Sequence, residues 1–250
     1  MNKLSSYLSQ LSQWAARGLD LLYPRSAGCP LCRSFDCSCG EKILSAYHER
    51  TACSRCGKFL ARAGTCSDCA SRGNGFPDRV WALAPYEGSL RDALHRFKYH
   101  GDKRAGRFLA GLLLAGPGSE ADRPDLVIPV PLHPSRLKQR GYNQALLLAE
   151  SLAFSWQVEL DHTVLQRTAL TQPQSNLGRS GRLANLGGAF RLADKGRVRG
   201  KKVLLVDDII TTGSTLEACG ALLRQAGTTG LQAVCVAAGR QAGRETDNFS

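Results

Sequence analysis

Hydrophobic residues beyond position 78 occur in short aliphatic runs that alternate with longer stretches of helical periodicity. This alternation predicts a parallel β-sheet with crossover helices, because parallel strands need connections long enough to form a helix. Strands as aliphatic as these are typical of a sheet with helices on both faces. The candidate strands are residues 80–86, 125–130, 163–166, 202–207 and 233–239, and the candidate helices are 89–98, 103–115, 142–154 and 214–226.

The first 24 residues show a different pattern, with Leu4, Leu8, Leu11 and Trp14 at helical spacing and polar residues between them. We expect an amphipathic amino-terminal helix that packs on the body of the protein, with an interfacial membrane helix as the alternative. The longest apolar runs fall short of the ~18–20 residues that a membrane span needs. Since an export signal is also missing, the sequence predicts a cytoplasmic protein with no membrane span.

Residues 25–72 hold eight of the ten cysteines, most of them in Cys-x-x-Cys pairs. A Cys-x-x-Cys turn brings two thiolates to one tetrahedral ion, so two such turns complete a Zn2+ site. Three alternatives compete: a secreted disulfide framework, an iron–sulfur cluster and redox-active dithiols. The missing export signal, the spacing and the loop-rich surroundings favour structural zinc. The predicted ligands are Cys29, Cys32, Cys37, Cys39, Cys53, Cys56, Cys66 and Cys69.

The grouping of these ligands is clearer in the second half of the segment than in the first. Residues 53–69 contain two Cys-x-x-Cys pairs with nine residues between them, which is a complete ribbon. In the first half, a single residue separates Cys37 from Cys39, which leaves a crossed arrangement or one vacant site open. A segment this short has few apolar residues, so we expect one or two zinc ions to supply most of its stability.

The net charge is +12, and the excess of Lys and Arg lies in the first two hundred residues. Such an excess favours polyanions, either nucleic acid or a multiply phosphorylated small molecule. A solvated basic face has the same composition, so the charge alone does not select a partner.

Two adjacent acids, Asp207 and Asp208, end the aliphatic run of the fourth candidate strand. Ligands of open parallel sheets bind beyond the carboxyl ends of the strands, which is where these acids lie. The following hydroxyl residues and glycine open a helix whose free amides suit a phosphate. Adjacent carboxylates suit a vicinal diol, so the pattern predicts a ribose 5-phosphate site, whereas a helix cap needs only one such residue. The loop residues are Thr211, Thr212, Gly213, Ser214 and Thr215.

Residues 203–216 match the signature of type I phosphoribosyltransferases: four aliphatic residues, two acids and then Thr-Thr-Gly-Ser-Thr. With the cysteine-rich segment and the motifs HRFKYHGD at 95–102 and IPVPLHPSRLKQRGYNQ at 128–144, the chain resembles the ComF and GntX-like competence proteins. This resemblance implies an α/β fold: a type I phosphoribosyltransferase-like parallel sheet flanked by helices over residues 79–250, after a zinc-ribbon module over 25–72. It also implies a role in natural competence and DNA uptake.

The resemblance implies phosphoribosyl pyrophosphate (PRPP) as the ligand, bound with Mg2+. Asp207 and Asp208 would hold the ribose hydroxyls, the hydroxyl-rich loop would surround the 5-phosphate, and Mg2+ would bridge pyrophosphate oxygens and ribose hydroxyls. Arg136 and Arg140 lie in the loop after the candidate strand at 125–130, which occupies the place where the family contacts pyrophosphate. Guanidinium groups suit this dense anion, and a basic surface loop is the alternative.

Residues 167–199 carry seven Arg and Lys residues against one Asp. In the family this region is a mobile hood over the sugar, and a loop of this length in a compact domain is usually a lid or a binding loop. We expect Arg167, Gln172, Arg179 and Arg182 to face the ligand.

The acceptor of a phosphoribosyl transfer is left open by the sequence. Many purine-salvage enzymes have a carboxylate three residues beyond the second acid, and Thr211 at that position argues against a purine acceptor. One hypothesis is a PRPP-dependent transferase whose zinc ribbon shapes the acceptor site. The other is a DNA-uptake protein that senses PRPP, binds single-stranded DNA and works with competence or recombination proteins. A basic and aromatic cluster suits base stacking or a plain helix end: His95, Lys98, Tyr99 and His100.

Overall fold

The computed structural model describes residues 28–70, 72–168 and 188–240. The predicted amino-terminal helix over 1–24 lies outside these residues, as do Gln172, Arg179 and Arg182. In chain order, the elements are α1 (Cys39–His48), α2 (Ser67–Ala70), β1 (Arg79–Pro85), α3 (Gly88–Tyr99), α4 (Lys103–Ala115), α5 (Pro117–Glu120), β2 (Leu126–Pro129), α6 (Pro134–Arg140), α7 (Gln144–Trp156), β3 (Glu159–Leu160), β4 (Leu165–Arg167), β5 (Phe190–Leu192), β6 (Lys202–Ile210), α8 (Ser214–Gln225) and β7 (Gly230–Ala238).

Five strands form one parallel sheet in the order β1-β7-β6-β2-β3. The predicted parallel sheet flanked by helices is therefore confirmed. None of the described helices is long and apolar enough to cross a membrane.

The candidate strand at 163–166 does not belong to this sheet, contrary to the prediction. The Asp161 carboxylate accepts hydrogen bonds from the Thr163 amide (2.8 Å), the Thr163 hydroxyl (2.8 Å) and the Val164 amide (3.0 Å). This turn redirects the chain after β3, because a local side-chain acceptor replaces the ladder partner. The following strand β4 pairs antiparallel with β5 in a separate ribbon.

Hydrophobic cores lie on both faces of the sheet, because successive residues of a strand point to opposite faces. In β6, Val203 and Leu205 belong to the core that includes α8, whereas Leu204 and Val206 belong to the core that includes α3, α4 and α7. The cysteine-rich segment contributes to both. Residues 53–69 supply buried cysteines and an aromatic side chain to the α8 core, and Leu31 and Tyr47 enter the other core.

The connector between the cysteine-rich segment and β1, residues 72–78, packs closely on the sheet. Phe76 is only 1% exposed. The backbone of Asp78 donates to Leu231 O (2.7 Å), and its carboxylate accepts from Leu231 N (3.0 Å). Arg224 of α8 also donates to the Asp78 carboxylate over 2.5 Å, so the connector holds a fixed place beside β7 and α8.

Candidate functional site

The two acids lie within the last residues of β6, where its two neighbours end at different points. The ladder with β2 ends at Val206, whereas the ladder with β7 continues to Ile210. Asp207 and Asp208 therefore occupy the carboxyl end of the central strand beside an opening left by β2. The backbone amide of Asp208 donates to Asp207 Oδ1 over 2.8 Å, and the residue Asp208 is buried.

The charges around Asp207 come from three elements, namely Asp208 of β6, Lys98 of α3 and Arg167 of β4. Lys98 of α3 places its Nζ 3.0 Å from Asp208 Oδ2, and both side chains are largely buried. Burial raises the pKa of Asp207 to about 7, and the Asp208 carboxylate adds to this rise, whereas Lys98 opposes it. A carboxyl pKa raised by burial and a like charge inside a cleft is typical of functional sites.

The hydroxyl-rich turn connects β6 to α8. Gly213 occupies the N-cap position of α8 with φ +78°, a conformation that favours glycine. The hydroxyls of Thr212 and Ser214 lie 3.0 Å apart. This arrangement presents the amino terminus of a twelve-residue helix, with its free amides and positive end, next to the acids.

The opposite wall of the site is a helix where the sequence indicated a loop. Pro134 begins α6, and Gly141 with φ +78° ends it, both common boundary residues. Arg136 and Arg140 are four residues apart and therefore share one face of α6. The Arg140 Nη1 donates to Gln144 Oε1 over 3.2 Å.

These walls enclose a cleft of about 130 Å3. Burial and the charge of Arg136 lower the pKa of Arg167, which stands at the end of β4. Arg140 Nε and Gln144 Nε2 are buried and have no hydrogen-bond partner in the part of the chain that the structure describes. Buried donors of this kind fit an anionic ligand. The lining is Lys98, Val130, Pro131, Leu132, Arg136, Arg140, Asn143, Gln144, Ala145, Arg167, Asp207, Asp208 and Thr215.

The structure brings most of the predicted ligand residues together. Both acids, Thr215 and the three predicted arginines line the cleft, and residues 211–214 form the turn beside it. The sequence pattern did not place Lys98 beside the acids, and it did not indicate Asn143 or Gln144 as ligand residues. All three lie in the motifs at 95–102 and 128–144. The sequence therefore contained these residues but did not indicate that they meet the acids in the folded protein.

At least one cation of the predicted hood over residues 167–199 forms ion pairs at the edge of the sheet and not in the cleft. Arg197 pairs with Glu159 and, at 3.1 Å, with Asp161. Lys201, two residues beyond the predicted hood, pairs with the same Glu159 at 2.7 Å. These cations anchor the chain after β5 to the sheet edge, so they are not available to a ligand.

The eight cysteines of the amino-terminal segment form two groups that follow the chain and are not crossed. Within each group the sulfur atoms lie within 4.8 Å of one another. All ten cysteines of the chain are free thiols. Four thiols at this separation fit one tetrahedral Zn2+. We name the groups the first tetrad (Cys29, Cys32, Cys37, Cys39) and the second tetrad (Cys53, Cys56, Cys66, Cys69).

Backbone amides point at the sulfurs, as metal-binding knuckles require. In the second tetrad, Cys66 N lies 3.3 Å from Cys53 Sγ. Burial alone would raise the pKa of the Cys53 thiol, yet amides of Cys66, Cys56 and Arg55 lower it to about 7. In the first tetrad, Leu31 N lies 3.3 Å from Cys29 Sγ. Both tetrads could therefore hold zinc.

Comparison with known proteins places the chain among competence and DNA-utilization proteins. A model named phosphoribosyl transferase domain matches residues 145–249. Competence protein F of Haemophilus influenzae is 34% identical over 203 residues, which cover 78% of this chain and 87% of that protein. DNA utilization protein YhgH of Escherichia coli K12 is 30% identical over 194 residues, which cover 75% of this chain and 84% of that protein. Competence protein ComFC of Bacillus subtilis is 28% identical over 228 residues, which cover 89% of this chain and 87% of that protein.

Proposed function

This chain belongs to the ComF family of competence proteins, and from that premise we propose that it binds PRPP with Mg2+ in the cleft at the end of β6. We further propose that it acts in natural competence and DNA uptake and handles single-stranded DNA in the cytosol.

The observation that carries this proposal is the pairing of opposite chemistries across one cleft. Asp207 and Asp208 end the central strand, and Arg136, Arg140 and Arg167 line the same cleft. The acids accept hydrogen bonds from vicinal ribose hydroxyls, while the guanidinium groups suit the pyrophosphate. Mg2+ would supply the charge neutralisation that a pyrophosphate needs beside two carboxylates.

The phosphate end of the ligand is assigned to the turn before α8. Its amides and hydroxyls lie next to the acids, so one molecule with a diol and a phosphate reaches both. A ribose 5-phosphate group carries both a vicinal diol and a phosphate on one sugar. Because Asp207 has a raised pKa, it is more fully charged above about pH 7, and PRPP affinity should rise from pH 6 to pH 8.

Support for single-stranded DNA comes from exposed rings beside the cleft. The rings of His95 and Tyr99 lie 4.8 Å apart, and His95 and His100 lie 5.4 Å apart. The Arg140 guanidinium lies 4.9 Å from the Tyr99 ring centroid, so the cluster adjoins the arginine wall. Stacking rings next to cations are common features of single-strand binding, and the net charge of +12 favours the same partner.

The test is calorimetry with PRPP and Mg2+ on the full chain. Asp207→Asn with Asp208→Asn should weaken binding by about 100-fold or more, because two charged hydrogen-bond acceptors are lost. Asp92→Asn, an exposed carboxylate on α3, is the matched control and should bind like the wild type. Undiminished binding by the double variant would refute the assignment of the acids.

A PRPP-dependent transferase with an unidentified acceptor is the second candidate. The three arginines favour it, because positive charge placed at a leaving pyrophosphate stabilises the transition state. Labelled PRPP and Mg2+ incubated with candidate acceptors, including single-stranded DNA, separates the two candidates. Pyrophosphate release selects the transferase, and tight binding without release selects the sensor.

A further inference from the structure

Arg72 of the connector reaches the turn before α8 from outside the sheet. The residue is 7% exposed, and its Nη2 donates to Thr212 O over 2.6 Å. A Cβ atom on Gly213 would lie 2.5 Å from Nη1 and 2.7 Å from Nη2. The glycine therefore serves a close approach as well as the φ of +78°, since any side chain there would displace the guanidinium.

The guanidinium is buried with unused hydrogen-bonding capacity. Its Nε and Nη1 have no hydrogen-bond partner among residues 28–70, 72–168 and 188–240. The group stacks on Phe76, 3.7 Å from the ring centroid. A buried cation beside the positive end of a helix is unfavourable until an anion arrives. A phosphate bound in the turn would be that anion.

The second tetrad fixes the position of Arg72. Arg55 lies between two ligands of this tetrad, and its guanidinium donates to Cys69 O (3.3 Å) and Gly73 O (3.3 Å). These carbonyls flank Arg72 along the chain, so the metal-binding knuckle holds the backbone on both sides of it. The backbone of Arg55 in turn accepts a hydrogen bond from Val80 N at the start of β1 (2.9 Å).

We propose that Arg72 is a positioning residue for the phosphomonoester of the bound sugar, and that the second tetrad holds it in place. Through Thr212 it fixes the turn, and its charge raises the affinity of the turn for a dianion. This inference rests on the proposed function, because it deepens the role of the same turn. It assigns the cysteine-rich segment a part in ligand binding besides its own stability.

The test compares ligands that do and do not carry the sugar phosphate. Calorimetry of the full zinc-loaded chain measures PRPP with Mg2+, ribose 5-phosphate, and pyrophosphate with Mg2+. Arg72→Met keeps an apolar stem on Phe76 and should weaken the first two ligands by about 10- to 100-fold, the effect of losing a charged partner. Pyrophosphate binding should change by less than about twofold, because the arginine wall is intact.

Two further variants separate charge, position and folding. Arg72→Lys keeps the charge without the planar donor pair and should lie between Met and wild type. Arg55→Met should weaken ribose 5-phosphate by about threefold or more at unchanged metal content, since Arg72 loses its support. Arg62→Met removes an exposed charge of the same segment and is the matched control. Thermal unfolding of each variant checks that the chain is folded.

Each result decides a different point. A folded Arg72→Met variant that binds ribose 5-phosphate like wild type overturns the role of Arg72 and leaves the PRPP site intact. An equal loss for pyrophosphate and ribose 5-phosphate also overturns it, because a general disturbance of the site has that signature. A wild-type chain that binds none of the three ligands overturns the proposed function together with this inference.

Discussion

The two tetrads carry the same four thiols but stand in different surroundings. All four cysteines of the second tetrad are buried in the core that includes α8, whereas Cys37 of the first tetrad is exposed and its other members are half-buried. Arg55 and Arg72 link the second tetrad to the turn beside the acids. The first tetrad is held by Arg96 of α3, which donates to Pro30 O and Leu31 O.

If both tetrads hold zinc, this difference would let the same metal chemistry serve two purposes in one fold. The second tetrad lies within a core, so a metal bound there would contribute to the stability of the sheet. The first tetrad lies at the edge of the other core, where Cys29 and Cys39 pack against it, so we expect its loss to act mainly on residues 29–39. Variants of each tetrad measure how far the two differ in their effect on the cleft.

The largest expected effect follows from removing one ligand of each tetrad. Cys56 is fully buried, so Cys56→Ser should lower the free energy of unfolding by about 3–5 kcal/mol, the cost of losing a structural metal site. Exposed Cys37→Ser should cost about 1 kcal/mol, which is typical of a local change. Denaturant unfolding, metal analysis and PRPP calorimetry measure the three consequences.

We expect both variants to lose one metal per chain, but only Cys56→Ser to lose PRPP binding. Cys219→Ser, a buried cysteine outside both tetrads, is the control for placing a hydroxyl in this core. Equal loss of stability and binding in the two tetrad variants would contradict the distinction between them.

Metal removal should reproduce this order in the unmodified chain. A chelator reaches the exposed first tetrad sooner, so one zinc should leave in a fast phase with PRPP affinity retained. The second zinc should leave at least about tenfold more slowly, because release requires opening of the core. Chelation with a colorimetric zinc indicator, followed by calorimetry at each stage, measures both phases. A single phase for both ions would count against the comparison.

Glycine substitutions test the two knuckles at matched geometry. Gly28 and Gly57 have φ +69° and +68°, and a Cβ would lie 2.8 Å and 2.7 Å from the carbonyl oxygens of Arg33 and Val80, respectively. Each alanine variant should cost about 2–3 kcal/mol, from left-handed strain plus a backbone clash. Only Gly57→Ala should also weaken the binding of ribose 5-phosphate. Its clash with Val80 separates the knuckle from β1, and this knuckle carries Arg55, which supports Arg72.

Gly101→Ala supplies the control for strain alone, because Gly101 has φ +66° with no atom within 4 Å of the Cβ position. It should cost about 1–2 kcal/mol without any change in ligand binding. Thermal unfolding and calorimetry on the three variants give the comparison. Weaker ribose 5-phosphate binding in Gly28→Ala would show that the first tetrad also reaches the turn.

The site was predictable where its residues are neighbours along the chain. Asp207, Asp208 and the turn up to Thr215 form one strand–turn–helix unit, so a local pattern contains their geometry. The contact between Lys98 and Asp208 joins positions 110 residues apart, and that between Arg72 and Thr212 joins positions 140 residues apart. Such contacts depend on strand order and helix placement, which periodicity does not specify.

The fold shows the same division. The main strands and helices were predictable because apolar periodicity is strong there. Helix α6 was interpreted as a loop because five of its seven residues are polar and hide its periodicity, although Pro134 and Gly141 mark its ends. The turn at Asp161 was missed because a single side chain, and not the hydrophobic pattern, redirects the strand.

A small effect on stability, with ligand binding retained, is expected at the link from the first tetrad to α3. Arg96 Nη2 donates to Pro30 O (2.7 Å) and Leu31 O (2.9 Å), so Arg96→Gln should cost about 1–2 kcal/mol. Amides of residues 29–34 should exchange with solvent faster, while PRPP affinity changes by less than about twofold, because Lys98 is held independently by Asp208. Arg107→Gln on the exposed face of α4 is the matched control. A tenfold or larger loss of PRPP affinity in Arg96→Gln would show that the first tetrad also supports ligand binding, and would contradict the difference between the two tetrads.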